Sequence, residues 1–262
     1  MGDMTEIILK TLDLFDHDLR KIFKDKYLDI VIHGSVTLND FTPHRGDIDF
    51  IVILKEDMTK REIGEIFKLH DMYRSIDSNI DGILEYQLEG TYYPINVLRN
   101  INDDIVGCYI GTRRQGWKEI TRFSHNVFDL IQIKSNGIYF RNGEYDIYEP
   151  GKDEIEKYIV AETENLRRLT AKDIIPSHAV IQFASRTMYF LETGSIGSKS
   201  KCCAIYSMKN DNSKVIEKCG KIKFQDNWKE FESEFQGHKA AAVKSLDDLM
   251  VMLNAAPMIP AA

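Results

Sequence analysis

Two aspartates separated by one residue, Asp47 and Asp49, are the residues whose types and spacing point most directly to chemistry. They stand at the start of the β-branched run Ile48–Leu54, and in a strand the side chains at i and i+2 lie on the same face. Two carboxylates held side by side repel each other unless a positive charge neutralises them. Oxygen ligands suit Mg²⁺, so the pair predicts a magnesium site at the end of a strand.

A second feature precedes this pair: the apolar run Leu28–Ile32 leads into Gly34 and Ser35. Glycine lets the backbone approach a phosphate closely, the serine hydroxyl adds a donor, and a helix starting there would offer free N–H groups. Taken singly, the two features are typical of an ordinary turn and of a solvated strand edge. Together, a phosphate cradle and a metal-binding carboxylate pair indicate phosphoryl or nucleotidyl transfer.

The letters HGS and DIDFIVI, at residues 33–35 and 47–53, resemble the signature of the nucleotidyltransferase (DNA polymerase β-like) superfamily. That superfamily includes antibiotic adenylyltransferases, CCA-adding enzymes, poly(A) polymerases and small antitoxin proteins. The resemblance implies a third carboxylate on the strand that follows the aspartate pair. We predict that strand over residues 80–89. Asp81 and Glu85 are candidates for it; Glu85 best matches the general base of the antibiotic adenylyltransferases and would also join the metal ligands, with Glu89 as the alternative.

The elements expected to position these groups fall into two parts. Helical spacing of apolar residues predicts helices over 5–26, 59–75 and 121–135, and glycines and prolines predict irregular structure over 90–120. From about residue 151 the sequence predicts only helices, near 152–170, 177–193, 198–208, 212–220 and 226–254. We therefore expect an α+β fold, with a nucleotidyltransferase domain at 1–150 that holds a small mixed sheet flanked by helices. A helical bundle at 151–262 would bind substrate and clamp ATP.

The helical part carries a second resemblance. Residues 179–208 are similar to the carboxyl-terminal helices of the streptomycin/spectinomycin adenylyltransferases. In those enzymes an arginine of the long helix and a lysine after a Thr-Gly turn reach ATP, and the matching positions here are Arg186 and Lys199. Trp117 resembles the aromatic residue that those enzymes place near the drug, and we predict that it binds substrate.

Composition narrows the choice of partner. The net charge is −7, which disfavours a protein that grips a nucleic-acid backbone and suits a cationic small molecule. There is no apolar run long enough for a membrane span and no signal-peptide pattern. The four cysteines lack zinc-site spacing and suit a reducing compartment. We expect a monomeric cytoplasmic protein.

The expected function is transfer of AMP from ATP to a hydroxyl of an aminoglycoside or aminocyclitol antibiotic, with two Mg²⁺ ions and release of pyrophosphate. Two alternatives stay open. One is a nucleotidyltransferase that modifies a protein or RNA hydroxyl, and the other is a catalytically silent, antitoxin-like or regulatory binding protein. The sequence leaves the drug and the modified hydroxyl undetermined.

Overall fold

The computed structural model of the chain describes residues 2–42, 46–75, 88–111, 116–141, 143–211, 213–222, 233 and 237–255. The chain divides into two compact units, Met1–Glu149 and Pro150–Ala262. The first unit combines a sheet with helices, and the described part of the second is helical. The predicted α+β class is confirmed.

A mixed β-sheet forms the centre of the first unit. Its described strands are β1 (Tyr27–His33), β2 (Ile48–Leu54), β3 (Leu88–Pro94), β4 (Gly107–Ile110), β5 (Trp117–Ile120) and β6 (Ile138–Tyr139). They are arranged in the order β5–β4–β3–β2–β1–β6. β2 and β3 are parallel, whereas the other neighbouring pairs are antiparallel.

Helices cover both faces of this sheet, and strand β2 is buried between them. The helices are α1 (Gly2–Phe23), α2 (Gly34–Thr37), α3 (Lys60–Ser75), α4 (Ile95–Arg99) and α5 (Val127–Asn136). Phe50 and Val52 pack in one apolar cluster with residues of α1 and α3, whereas Ile51 and Ile53 pack in another with residues of α4 and α5. Burial on both sides explains why β2 is a continuous apolar run, which is typical of an interior strand.

Local signals in the sequence fix the start of α3. The Thr59 backbone N–H donates to Glu62 Oε2 at 2.7 Å, and the Glu62 backbone N–H donates to Thr59 Oγ1 at 3.2 Å. These reciprocal bonds form a capping box. They stabilise the start of α3, which packs against one face of β2.

The second unit contains the helices α6 (Lys152–Ala171), α7 (Ser177–Thr193), α8 (Lys199–Ser207), α9 (Ser213–Lys221) and α10 (His238–Ala255). α7 ends at Gly194, whose φ of 68° is the left-handed conformation that glycine adopts readily. Its capping position is Pro176, so Ser177 is the first helical residue and not the cap. In the described parts of the chain, no helix combines the length and apolarity needed to cross a membrane.

One sequence prediction about the middle of the chain needs correction, and another lies mostly outside the described residues. Residues 90–120, expected to be irregular, hold most of β3 and all of β4 and β5. The strand predicted over 80–89 is described only from Leu88, and it continues to Pro94. Glycines and a proline within these short strands conceal the alternation that identifies a strand in a sequence.

Candidate active site

The carboxylates meet at one end of three neighbouring strands. Asp49 lies opposite His33 of β1 on one side and opposite Glu89 of β3 on the other. Asp47 directly precedes β2, and Asp47, Asp49 and Glu89 are all partly buried. Directly paired residues on adjacent strands have Cβ atoms about 5 Å apart. Strand pairing therefore brings a third carboxylate beside the predicted aspartates.

Gly34 lies directly against Asp49. Its φ is +67°, and a Cβ built on it would stand 1.8 Å from Asp49 Oδ2 and 2.6 Å from Asp49 Cγ. Both the backbone conformation and the lack of space exclude a larger residue. The turn that we expect to hold phosphate and the carboxylate that we expect to hold metal are thus in contact.

Gln132 of α5 forms hydrogen bonds that stabilise this turn. Its side-chain Nε2 donates to the Gly34 carbonyl oxygen at 2.8 Å and to Thr37 Oγ1 at 3.2 Å. The side chain is buried, with only 2% of its residue surface exposed. Ser35, partly buried in the first turn of α2, is held between these two anchored residues. Gln132 was not among the residues predicted from the sequence.

A tyrosine contacts the third carboxylate. Tyr109 of β4 donates its hydroxyl hydrogen to Glu89 Oε1. Burial, followed by the bond to Glu89 and the nearby charges of Asp47 and Asp49, raises the pKa of Tyr109. Its phenol is therefore protonated at neutral pH and acts as a donor.

The imidazole beside Asp49 brings no positive charge to the carboxylates. His33 is buried, and burial, reinforced by nearby His125, lowers its pKa to about 3. The two rings meet edge to face with centroids 5.3 Å apart, and His125 Nε2 lies 2.9 Å from Thr91 Oγ1. At neutral pH His33 is uncharged, so it does not offset the negative charge of Asp49.

A divalent ion fits the donor set at Asp47 and Asp49. Their oxygens are hard ligands, and the glycine at position 34 lets the backbone of the turn approach the Asp49 carboxylate closely. Among the described residues, no group of three or more His, Cys, Asp or Glu side chains is arranged to hold a metal. Mg²⁺ is commonly held by one or two carboxylates together with substrate phosphates, and that arrangement suits this pair.

The remaining predicted residues of the first unit lie differently. Glu85 falls outside the described residues. Trp117 pairs with Ile110, and Ile110 pairs with Gly90 next to Glu89, so Trp117 lies at the same end of the sheet as the carboxylates. It is on the opposite face from Asp49 and Glu89, because its row of paired residues continues to Phe50 of the α1–α3 cluster. With strands about 4.8 Å apart, it is about 10 Å from β3. Trp117 is 45% exposed and stacks on Phe67, with ring centroids 3.2 Å apart.

The two predicted cations of the second unit border one connection. Arg186 Nε donates to the Gly197 carbonyl oxygen at 3.2 Å, between α7 and α8. Lys199 is the exposed first residue of α8, next to Ser198, whose hydroxyl accepts the Lys201 N–H at 3.2 Å. The structure brings these two positions together within the helical unit.

Comparison with models of known protein families finds a match within the first unit. Residues 17–125 match the family model described as "Nucleotidyltransferase domain". The first unit carries a nucleotidyltransferase domain. The match covers β1, β2 and β3, and with them Gly34, both aspartates and Glu89. The expectation of a nucleotidyltransferase is confirmed. A search of curated protein sequences finds no match.

A solved structure shares the fold beyond the nucleotidyltransferase domain. It is described as a spectinomycin adenyltransferase, AAD(9), from Enterococcus faecialis, with ATP and spectinomycin. The similarity has a TM-score of 0.65 at 15% sequence identity and covers 92% of this chain and 98% of that one. The predicted resemblance to the aminoglycoside adenylyltransferases is thereby confirmed at the level of fold.

Proposed function

We propose that this protein transfers AMP from ATP to a hydroxyl of an aminocyclitol or aminoglycoside antibiotic, of the spectinomycin or streptomycin type. The observation that carries the proposal is the pairing of Asp49 with Glu89 beside the Gly34–Ser35 turn. The groups that we propose to bind metal, bind phosphate and accept a proton would therefore lie close together. Similarity of fold over both units to an adenyltransferase solved with ATP and spectinomycin supports this choice within the superfamily.

The first group of roles concerns the nucleotide. Asp47 and Asp49 would hold Mg²⁺ on the triphosphate, and two ions are expected. The metal would supply positive charge against the phosphate oxygens and the leaving group. The Ser35 hydroxyl and the Gly34 backbone would bind phosphate, with Gln132 keeping their turn in place.

Glu89 takes the role of general base in this proposal, in place of Glu85. Glu89 lies directly opposite Asp49 on the neighbouring strand, and from there its carboxylate would reach substrate held by the metal. The acceptor hydroxyl gives its proton to Glu89, and its oxygen bonds to the α-phosphorus of ATP. The bond from that phosphorus to the oxygen bridging the β-phosphate breaks, and pyrophosphate leaves.

Charge in the helical unit would support the leaving group. Arg186 and Lys199 are proposed to contact ATP phosphates, which guanidinium and ammonium groups bind strongly. The bond from Arg186 to Gly197 restrains the arginine near the α7–α8 connection, where Lys199 also stands. Because both cations lie at the same short connection, we propose that they bind the triphosphate together.

The acceptor is proposed to be cationic. A net charge of −7 favours the approach of a positively charged small molecule. Trp117 is proposed to offer an acceptor ring a flat apolar surface at the carboxylate end of the sheet, although it lies on the face opposite Asp49 and Glu89. These features favour an aminocyclitol or aminoglycoside over an RNA end.

Pyrophosphate release tests the proposal. Purified protein is incubated with Mg-ATP, with and without spectinomycin, streptomycin and other aminoglycosides, and with excess EDTA as the metal-free control. We expect release that depends on one of these drugs, a product heavier by one AMP, and loss of release with EDTA. Asp49→Asn and Glu89→Gln should each lower turnover by at least about 100-fold, the usual lower range for general-base catalysis.

Other outcomes separate the alternatives. Binding of Mg-ATP without drug-dependent release, joined with AMP found on a co-purified protein or RNA, would replace the antibiotic by a macromolecular acceptor. No binding of Mg-ATP at all would leave a silent binding module. Full activity of Asp49→Asn would contradict the assigned metal site.

A further inference from the structure

Tyr109 occupies a position from which it can control the third carboxylate. It lies on β4 directly opposite Thr91 of β3, two residues beyond Glu89. Side chains at such diagonal positions share a face and lie within reach of a long side chain. The phenolic hydroxyl uses this reach to donate a hydrogen bond to Glu89 Oε1.

The surroundings hold Tyr109 in place as a donor. Lys118 of β5, opposite Tyr109, places its Nζ 5.1 Å from the centre of the phenol ring. A cation over an aromatic face is attracted by it, which fixes the ring from the side away from Glu89. Burial and the neighbouring carboxylates keep the phenol protonated, as its raised pKa indicates.

We propose that Tyr109 is a positioning residue for nucleotidyl transfer, whose hydroxyl orients the Glu89 carboxylate toward the acceptor hydroxyl. This inference rests on the proposed function, because it needs Glu89 to accept the proton. Tyr109 itself touches neither ATP nor acceptor in this account. It acts through Glu89 alone.

The need for such a residue follows from the charges at the site. Glu89 has a flexible side chain and lies beside Asp49, so like-charge repulsion favours rotamers that turn away. A hydrogen bond from a neutral phenol to a carboxylate is strong and leaves other acceptor positions on the carboxylate. An error of about 1 Å in the placement of a reacting group can lower a rate by about 100-fold.

Tyr109→Phe removes the hydroxyl and keeps the ring beneath Lys118. We expect kcat for drug-dependent pyrophosphate release to fall by about 10- to 100-fold, with KM for ATP changed less than about twofold. Tyr27→Phe is the matched control, since the Tyr27 hydroxyl likewise donates to a carboxylate, Asp16 Oδ1, at 2.6 Å. That variant should keep wild-type kcat.

A double-mutant cycle distinguishes positioning from a general loss of structure. If Tyr109 acts through Glu89, adding Tyr109→Phe to Glu89→Gln should lower kcat no further. If the decreases in kcat of the two single variants multiply in the double variant, the inference is wrong. It is also wrong if Tyr109→Phe has a normal kcat while Glu89→Gln is inactive. A parallel loss of kcat in Tyr27→Phe would also overturn it.

A measurement that needs no turnover separates this inference from the proposed function. With carbon-13 in the glutamate carboxyl groups, the signal missing from Glu89→Gln identifies Glu89. Its chemical shift should change in Tyr109→Phe and stay constant in Tyr27→Phe. Absence of release with every acceptor would refute the proposed function, whereas an unchanged Glu89 signal in Tyr109→Phe would refute the hydrogen bond on which this inference depends.

Discussion

Replacing Gly34 by alanine is the most direct test of how the site is built. The new methyl group would lie 1.8 Å from Asp49 Oδ2, 2.6 Å from its Cγ and 2.9 Å from its Cβ. Cβ atoms essentially never approach other atoms closer than 3.0 Å, so the carboxylate oxygen must move by about 1.2 Å. All three crowded atoms belong to the proposed metal ligand.

The expected losses of activity and of stability in Gly34→Ala have separate causes. Displacement of a catalytic group by about 1 Å lowers turnover by about 100-fold, and we expect at least that loss in kcat. The left-handed backbone at φ +67° adds about 1–2 kcal/mol of destabilisation for alanine. The predicted variant is therefore folded and only modestly less stable, but nearly inactive.

The assay compares kcat for pyrophosphate release with the free energy of unfolding in urea. Gly237→Ala is the matched control, because Gly237 also has a positive φ, 83°, and a Cβ added to it would meet nothing within 4 Å. It should lose stability to a similar extent and keep its activity. Gly34→Ala with more than a third of wild-type kcat would refute the close contact between the turn and Asp49.

Three further predictions concern other parts of the molecule. Gln132→Met removes both hydrogen bonds to the Gly34 turn and should raise KM for ATP about tenfold, which corresponds to roughly 1.4 kcal/mol of lost binding free energy. An unchanged KM for ATP in steady-state kinetics would show that Gln132 does not hold the turn for nucleotide binding. Burial lowers the pKa of His70 to about 3, so the unfolded chain binds its proton first and stability falls as pH drops below about 6.5. The cost by pH 5.5 is on the order of 1 kcal/mol, and urea unfolding should show that the stability of His70→Gln depends less on pH over that range. Trp117→Ala should raise KM for the acceptor, while KM for ATP stays constant. If the variant and the wild-type protein have the same KM for the acceptor, Trp117 only packs against Phe67 and does not bind substrate.

The local parts of the site were accessible from the sequence. Gly34, Ser35 and the two aspartates stand within sixteen residues of each other, and two apolar runs around them predict the strands that bring them together. The capping box of Thr59 and Glu62 was equally readable. In each case chemistry and position are both encoded over a few residues.

The distant parts of the site were not accessible in this way. Glu89 was predicted only as the alternative to Glu85, which lies outside the described residues, and the strand that carries Glu89 contains Gly90 and ends in Pro94. A Cβ at Gly90 would lie 2.1 Å from the Phe50 carbonyl oxygen, so this glycine permits the close pairing of β3 with β2. Gln132 and Tyr109 reach the site only through tertiary contacts, for which the sequence has no periodic signal.

The parallel pairing of β2 with β3 also determines when activity can arise during folding. Asp49 and Glu89 are 40 residues apart in the chain, and a parallel pair needs a long crossover that here includes α3. Closing such a loop carries an entropic cost before the contact stabilises anything, so non-local pairing forms slowly. In a refolding experiment the helical circular-dichroism signal should therefore recover before nucleotidyl transfer does, and enzymatic turnover should report formation of the β2–β3 pair.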